Sequence, residues 1–250
     1  MYPIENKFFY GTSNIVLPVP NKSHYPPEYM DKSRLAYYSS LFNSLEVNSS
    51  FYKIPLAKTV ERWSNTVPEH FRFSFKLWRG ITHSKDLVYF TKDISRFFQA
   101  IEPAEHKSGC VLVQFPASIK FSCFQKLQNL LDEIVAVNGN RGWKLAIEFR
   151  DTSWYDNSVF QLLENNNVGL VVHDIPASAT PIIDMQAGFI YMRFHGEKGD
   201  YRGSYTDEFL NDRADVIKTF LAQNKMVFAY FNNTIGDAVQ NAFTLKNHID

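Results

Sequence analysis

Short apolar runs alternate with helical stretches along almost the whole of this chain, and that alternation limits its fold more than anything else. Eight strands are predicted, at Phe8–Ser13, Ser44–Ser49, Phe71–Leu77, Gly109–Phe115, Trp143–Arg150, Val168–His173, Phe189–His195 and Met226–Phe231. Helical patterns follow at about Asp31–Phe42, Ala57–Asn65, Thr91–Ile101, Ser122–Val137, Tyr155–Asn165 and Thr206–Asn224, and from Asp237 onward. The exception is Ile175–Gly188, which holds two prolines and no helical period. Continuous apolar strands separated by helices imply a parallel sheet covered on its faces. Eight such units in 250 residues match an α/β fold of the (β/α)8, TIM-barrel-like kind, one domain over residues 1–250 with a short or missing sixth helix. An open doubly wound sheet fits less well, because no strand runs into a Gly-x-Gly-x-x-Gly turn. The proline-rich loop Asn14–Tyr29 carries Tyr25 and Tyr29, so an ordered lid or rim is expected there.

The strand that opens Trp143–Trp154, WKLAIEFRDTSW, shows where chemistry would collect. Leu145, Ile147 and Phe149 alternate with Ala146, Glu148 and Arg150, and the Asp151-Thr152-Ser153 caps a following helix. Residues two apart in a strand share a face, so an acid and a base sit side by side at the carboxyl end. The same parity recurs. Val47, Phe75, Phe149, Phe194 and Phe231 should face the helices. Glu46, Asn48, Lys76, Gln114, Glu148, Arg150, Arg193, His195, Tyr230 and Asn232 should point into the top of the barrel. Burying so many polar groups is costly unless they pair or bind something, and this end of a barrel is where active sites lie. The bland reading is structural ion pairing, Glu148 with Arg150 or Glu46 with Lys76. For His173 a satisfied core histidine is the ordinary reading, and Phe71, Phe73 and Phe75 read as core.

Balanced charge, 26 basic against 26 acidic residues, argues against a broad duplex footprint. Cys110 and Cys123 lack CxxC spacing and read as reduced thiols. The start, MYPIENKFFYGTS, lacks a secretory pattern, and no apolar run approaches the ~20 residues of a membrane span, so a cytoplasmic protein without membrane contact is expected. Glu46, Glu148, Asp174, His83, His173 and His195 are enough metal ligands in number. Yet Arg150 shares a face with Glu148 and Arg193 with His195, and no HExxH is present, so neither metal nor cofactor is expected.

The segments GTS, SLEVNSSFYKIP, RW…VPEHFRFSFK, ITHSKDL, VLVQFP, AIEFRDTSW, YMRFHG and YFNN, in that order, resemble the YecE-like family, known as domain of unknown function 72. The resemblance implies a TIM-barrel-like fold and no particular reaction. It also implies recurrent polar positions at Glu46, Asn48, Lys76, His83, Gln114, Glu148, Arg150, Arg193, His195, Asn232 and Asn233. Two departures from the family pattern stand at the pocket rim: Asn14-Ile15 follows Gly-Thr-Ser where Gly-Trp is usual, and Asp151 follows Glu-Phe-Arg where His is frequent.

The expectation is an enzyme-like pocket for a small anionic ligand, phosphorylated or carboxylated, without a metal. Glu148 or Glu46 would act as base, His195 as proton donor or shuttle, and Lys76 would supply charge for the chemistry. Asn48, His83, Gln114, Arg150, Arg193, Asn232 and Asn233 would hold the ligand, with Arg forks matching its anionic group. Trp78, Trp154 and Tyr52 are candidates for stacking. Glycines at Gly196 and Gly236 suggest an anion seat near Arg193 and Asn232. Two other readings stand beside this one: nucleic-acid processing or binding, with a flipped or single-stranded nucleotide, and a binding protein without catalysis.

Overall fold

A computed structural model of the chain describes residues 7–182 and 186–250. Residues 1–6 of the stretch MYPIENKFFYGTS and residues 183–185 of Ile175–Gly188 therefore lie outside the described residues. Eight parallel strands form one sheet: β1 (Phe8–Thr12), β2 (Ser44–Val47), β3 (Arg72–Lys76), β4 (Ser108–Gln114), β5 (Lys144–Glu148), β6 (Gly169–His173), β7 (Phe189–Phe194) and β8 (Met226–Phe231). Their order is β1-β8-β7-β6-β5-β4-β3-β2. The sheet closes at the β1–β2 seam, where the ladder shrinks to one bridge, Ser13 to Glu46. Side chains complete the seam. Asn43 accepts from the Tyr10 N–H at 2.9 Å and donates to the Phe8 carbonyl at 2.8 Å. The Tyr38 hydroxyl accepts from the Thr12 N–H at 2.7 Å and donates to the Ser44 carbonyl at 3.0 Å. β1 can approach this closely because Gly11 has no side chain: a Cβ there would stand 2.1 Å from the Ser44 carbonyl oxygen. The result is a nearly closed, TIM-barrel-like α/β fold.

The longer helices are α1 (Arg34–Leu41), α2 (Ala57–Thr66), α3 (Thr91–Ile101), α4 (Phe124–Asn138), α5 (Asn157–Asn165), α6 (Asp207–Ala222) and α7 (Ala238–Ile249). They form where apolar residues recur every three or four positions, as Ile94, Phe97, Phe98 and Ile101 do along α3, all buried. Thr206 caps α6 by accepting from the Phe209 N–H, with Asp207 and Glu208 in the first turn. No helix occurs among the described residues between β6 and β7, as the missing period there suggests.

Several element ends move from their predicted places for local reasons. Ser33, not Asp31, caps α1, because its hydroxyl reaches the Ala36 N–H. β2 stops at Val47, because Asn48 turns into helical backbone and starts a one-turn helix, Ser49–Tyr52. After β5, Asp151 caps a 3-10 turn at Thr152–Trp154, and Asp156 then caps α5, so the helix begins at Asn157 rather than Tyr155. The Asn14–Tyr29 loop is ordered, but not as a lid. Tyr25 and Tyr29 pack on Tyr37 of α1, with ring centroids 4.7 and 5.1 Å away.

The core has two compartments, as strand parity requires. Val47, Phe75, Phe149, Phe194 and Phe231 belong to the cluster between sheet and helices. Phe9, Leu112, Ala146, Val171, Phe189, Tyr191, Phe228 and Tyr230 fill the barrel interior. Above that apolar plug the interior turns polar, first with Ser44 and Ser74, which share hydrogen bonds with the Tyr230 hydroxyl. Cys110 lies in this interior, where burial pushes its thiol up, and Cys123 is half-buried; both are free.

Candidate functional site

Alternating parity carries Glu46, Glu148 and Arg193 to the barrel axis, where all three are buried. Arg193 is the hub. Its Nε and Nη2 grip Glu46 as a fork, at 2.9 and 2.8 Å, and its Nη1 donates to Glu148 at 2.7 Å. Glu46 also accepts from the Ser13 hydroxyl at 2.5 Å and the Tyr191 hydroxyl at 2.7 Å. Arg150 Nε pairs with the other oxygen of Glu148. Burial alone would raise Glu46, but the Arg193 guanidinium and the donated hydrogen bonds outweigh it and hold the carboxyl below its usual range. Glu148 is likewise driven well down against its burial by Arg150 and Arg193. Burial opposes the charge of Arg193, and Glu148 and Glu46 more than restore it. Two carboxylates and two guanidiniums thus form a compensated layer. One predicted structural pair, Glu148 with Arg150, is present; the partner of Glu46 is Arg193 rather than Lys76.

His195 lies against this layer. Its Nε2 faces Arg193 Nη1 at 3.2 Å and Arg150 Nη2 at 3.1 Å. A guanidinium can only donate, so Nε2 accepts and Nδ1 carries the proton, aimed at Asp174 Oδ1 at 3.2 Å. Burial, with Arg193 added and only partly opposed by Asp174, lowers His195 to about 4. The ring is therefore a neutral acceptor, and both its nitrogens are engaged. Asp174 is held in turn by the Tyr205 hydroxyl. His173 is a satisfied core residue: Nε2 donates to the Phe149 carbonyl at 2.9 Å and Nδ1 accepts from the Ile175 N–H at 3.3 Å.

Over the charged layer opens a cleft of ≈ 260 Å³. Lys76, Arg150 and Arg193 line it together with Asn14, Asn48, Phe51, Tyr52, Tyr201, Asn232, Thr234 and Ile235, and among the described residues no carboxylate does. Lys76 Nζ lies 4.1 Å from the centroid of the Phe51 ring. Burial, then the charge of Arg193, lowers its ammonium to about 7 against the pull of Glu148 and Glu46. The Asn48 Oδ1 is buried without a hydrogen-bond partner.

The structure thus brings Asn48, Lys76, Arg150, Arg193 and Asn232 to one cleft and sets Glu46, Glu148 and His195 around and beneath its floor. Five other candidates stand apart. His83 packs edge-on against Phe51, and its Nδ1 meets the Thr82 hydroxyl; burial and the charges of Lys76, Arg79 and Arg150 lower it to about 4. Gln114 donates to the Phe115 carbonyl. Asn233 is buried and donates to the Gly203 carbonyl and Asn241. Trp154 is buried, stacked on Phe149, with Nε1 on the Ile119 carbonyl, so it packs and does not stack on a ligand. Trp78 lies under Gly80 rather than in the cleft, whereas Tyr52, 68% exposed, stands at its rim.

The predicted anion seat at Gly196 and Gly236 is closed. The Gly196 N–H donates to the Tyr205 hydroxyl and the Gly236 N–H to the Asn233 carbonyl. The two loops pair with each other through Arg202–Gly203 and Ile235–Gly236, so close that a Cβ on Gly236 would lie 2.2 Å from the Gly203 carbonyl oxygen. These glycines serve backbone contact. Among the described residues no three His, Cys, Asp or Glu side chains are grouped to hold a metal ion. Of the two departures from the family pattern, Asn14 lines the cleft, while Asp151 caps Ser153 and faces Lys120 at 3.5 Å. Sequence reasoning missed Ser13, Phe51, Tyr191 and Tyr201. Tyr191 shares the parity of Arg193 and was within reach, whereas Phe51 and Tyr201 arrive from irregular segments that carry no period.

No helix among the described residues is long and apolar enough to cross a membrane. The chain is 26% identical to the UPF0759 protein YunF of Bacillus subtilis over 257 aligned positions, which cover 91% of this chain and 90% of that protein. With the UPF0759 protein YecE of Escherichia coli K12 the match is 27% identical over 120 residues, 48% of this chain and 44% of YecE. Its fold is similar to that of a DUF72 family protein from Thermotoga maritima, with a TM-score of 0.78, 25% identity and coverage of 96% of this chain and 98% of the other. A DUF72 family protein from Enterococcus faecalis gives a TM-score of 0.79 at 24% identity, covering 97% and 95%. The model of the protein family of unknown function DUF72 matches residues 10–250, and the chain belongs to that family.

Proposed function

We propose that the cleft at the carboxyl ends of the strands binds a small anionic ligand, phosphorylated or carboxylated, and that it is an enzyme-like site. The observation that carries this reading is the lining: two arginines and a lysine, and no carboxylate among the described residues. Arg193 and Arg150 are compensated from below by Glu46 and Glu148. Lys76 has neither a hydrogen bond nor an ion pair among the described residues. Arg150 keeps Nη1 without a hydrogen-bond partner there. A ligand anion would complete both. Glu46, Glu148 and His195 act on the ligand through Arg193 and Arg150, whose forks they orient, and Lys76 is the one titratable group of the cleft poised near neutrality.

Phosphate, sulfate and a panel of small carboxylates should raise the melting temperature of the protein. Arg150→Ala should keep most of its stability, because Arg193 still pairs with Glu148, and lose most of the anion-induced shift. Equal shifts in variant and wild type would remove the reading. A second reading rests on Tyr52 and Tyr201, both exposed at the rim, where a nucleotide base could stack. Salt-dependent retardation of a single-stranded oligonucleotide, lost in Tyr52→Ala, would favour it.

A further inference from the structure

Buried lysines are normally supplied with acceptors, and this protein shows such a case. Lys107 Nζ donates to the Ser64 and Val67 carbonyls, both at 2.8 Å, and lies 3.7 Å from Glu69. Lys76, half-buried, is built differently. Its amine meets the face of Phe51 and has no acceptor among the described residues. The two carboxylates nearby in the barrel, Glu46 and Glu148, are taken by arginines. The amine therefore keeps a substantial neutral fraction at pH 7. It also opens onto a cleft rather than onto protein. An uncompensated amine in a small cavity, beside a cationic fork, is the arrangement of a nucleophile rather than of a salt-bridge member.

We propose that Lys76 forms an imine with the carbonyl carbon of a small carbonyl compound that carries a carboxylate or phosphate, with that anionic group against Arg150. This deepens the anion-binding reading and rests on it. The neutral amine adds to the carbonyl carbon, forming the N–C bond, and the carbonyl oxygen takes up the proton that nitrogen gives up. The carbinolamine then loses water as the C–O bond breaks, leaving the imine. Amine plus carbonyl gives imine plus water, with no oxidant or reductant. The buried, unpartnered Asn48 Oδ1 offers an acceptor for the carbinolamine hydroxyl. The cleft, ≈ 260 Å³, is small; at ~30 Å³ of liquid volume per water it suits a compound of few carbons with its anionic group.

Reductive trapping tests this. The protein is incubated at neutral pH with pyruvate, glyoxylate, glyceraldehyde 3-phosphate or dihydroxyacetone phosphate, then reduced with borohydride and mapped by mass spectrometry. The expected result is one adduct per chain on Lys76, with labelling about tenfold or more above any other lysine, since an ordinary lysine is almost wholly protonated there. The carboxylate and phosphate probes show which anion Arg150 prefers. Lys76→Met should abolish that adduct. Labelling spread over surface lysines, or no adduct on Lys76 with any of the four probes, overturns the proposal. The wild-type map decides this even if the variant does not fold. Lactate and glycerol 3-phosphate, which lack the carbonyl, separate the two readings. If they raise the melting temperature while Lys76 stays unlabelled, the imine falls and the anion site stands. If they do nothing and nothing is trapped, both fall.

Discussion

Arg193 and Lys76 are both cations at the top of one barrel, and their surroundings give them opposite roles. Arg193 closes its fork on Glu46 and reaches Glu148, so its removal strands two buried carboxylates. Breaking a buried ion pair from one side typically costs about 3–5 kcal/mol. Arg193→Met should therefore lose about that much in urea unfolding, and a loss below about 1 kcal/mol would show that the layer is not a compensated unit. Lys76 holds no carboxylate among the described residues, so its replacement strands none of them. Lys76→Met should be at least as stable as the wild type at pH 7, because it removes a cation that burial disfavours, while abolishing anion-induced stabilisation. A large loss of stability in this variant would mean that the lysine is structural. The pair distinguishes a group that builds the site from one that faces the ligand.

Closure of the barrel depends on the narrow seam between β1 and β2. Tyr38 reaches across it from α1, taking the Thr12 N–H and giving its own proton to Ser44. Tyr38→Phe leaves that buried N–H without its acceptor, which should cost about 1–3 kcal/mol. Hydrogen exchange locates the effect: protection of the Thr12 amide should fall while that of the β7–β8 ladder is kept, and unchanged exchange at Thr12 would refute the role given to Tyr38. The barrel itself was legible in the sequence because its strands obey a period of two over a helical background, so Glu46, Glu148 and Arg193 fell on one face together. What was not legible lies where period ends. Asn48 leaves the strand for a helical turn, and Phe51 comes to rest under Lys76 from that same turn. Parity also predicts direction but not pairing. It placed Glu46, Lys76 and Arg193 in one lumen and could not show that Arg193 takes Glu46. The glycine-rich loops misled because glycine permits close contact with a ligand or with another backbone alike, and here Gly236 meets Gly203.

For the whole molecule, the buried groups predict how stability depends on pH. His195 is held at about 4 in the folded protein, below its ordinary 6.5. Between those values the unfolded chain binds a proton that the folded chain refuses, so stability falls as pH drops through 6.5 towards 4. His83, also at about 4 but half-buried, adds a smaller slope in the same direction. Glu46 and Glu148 extend the loss, because their folded values lie below the usual carboxylate range, and the stability that they supply above it disappears as they are protonated. Lys76 acts on the other side of neutrality. Its folded value is about 7 against 10.5, so above pH 7 the unfolded chain again holds the extra proton and stability goes on rising. Arg193, Glu46 and Glu148 keep their charges in that range. The buried Cys110 thiol, held above its ordinary range, acts the other way as pH approaches 9, so the part of the rise that Lys76→Met removes is the lysine's. A single fully coupled group gives at most ~1.4 kcal/mol per pH unit, and Lys76 gives less because it opens onto the cleft. Urea unfolding at pH 5, 7 and 9 should thus show stability increasing at each step. Lys76→Met should flatten the upper step and leave the lower one. A wild-type curve that is level or falling from pH 7 to 9, or a variant with the same upper slope, would show that the amine is not held near neutrality, and would count against its role as a nucleophile.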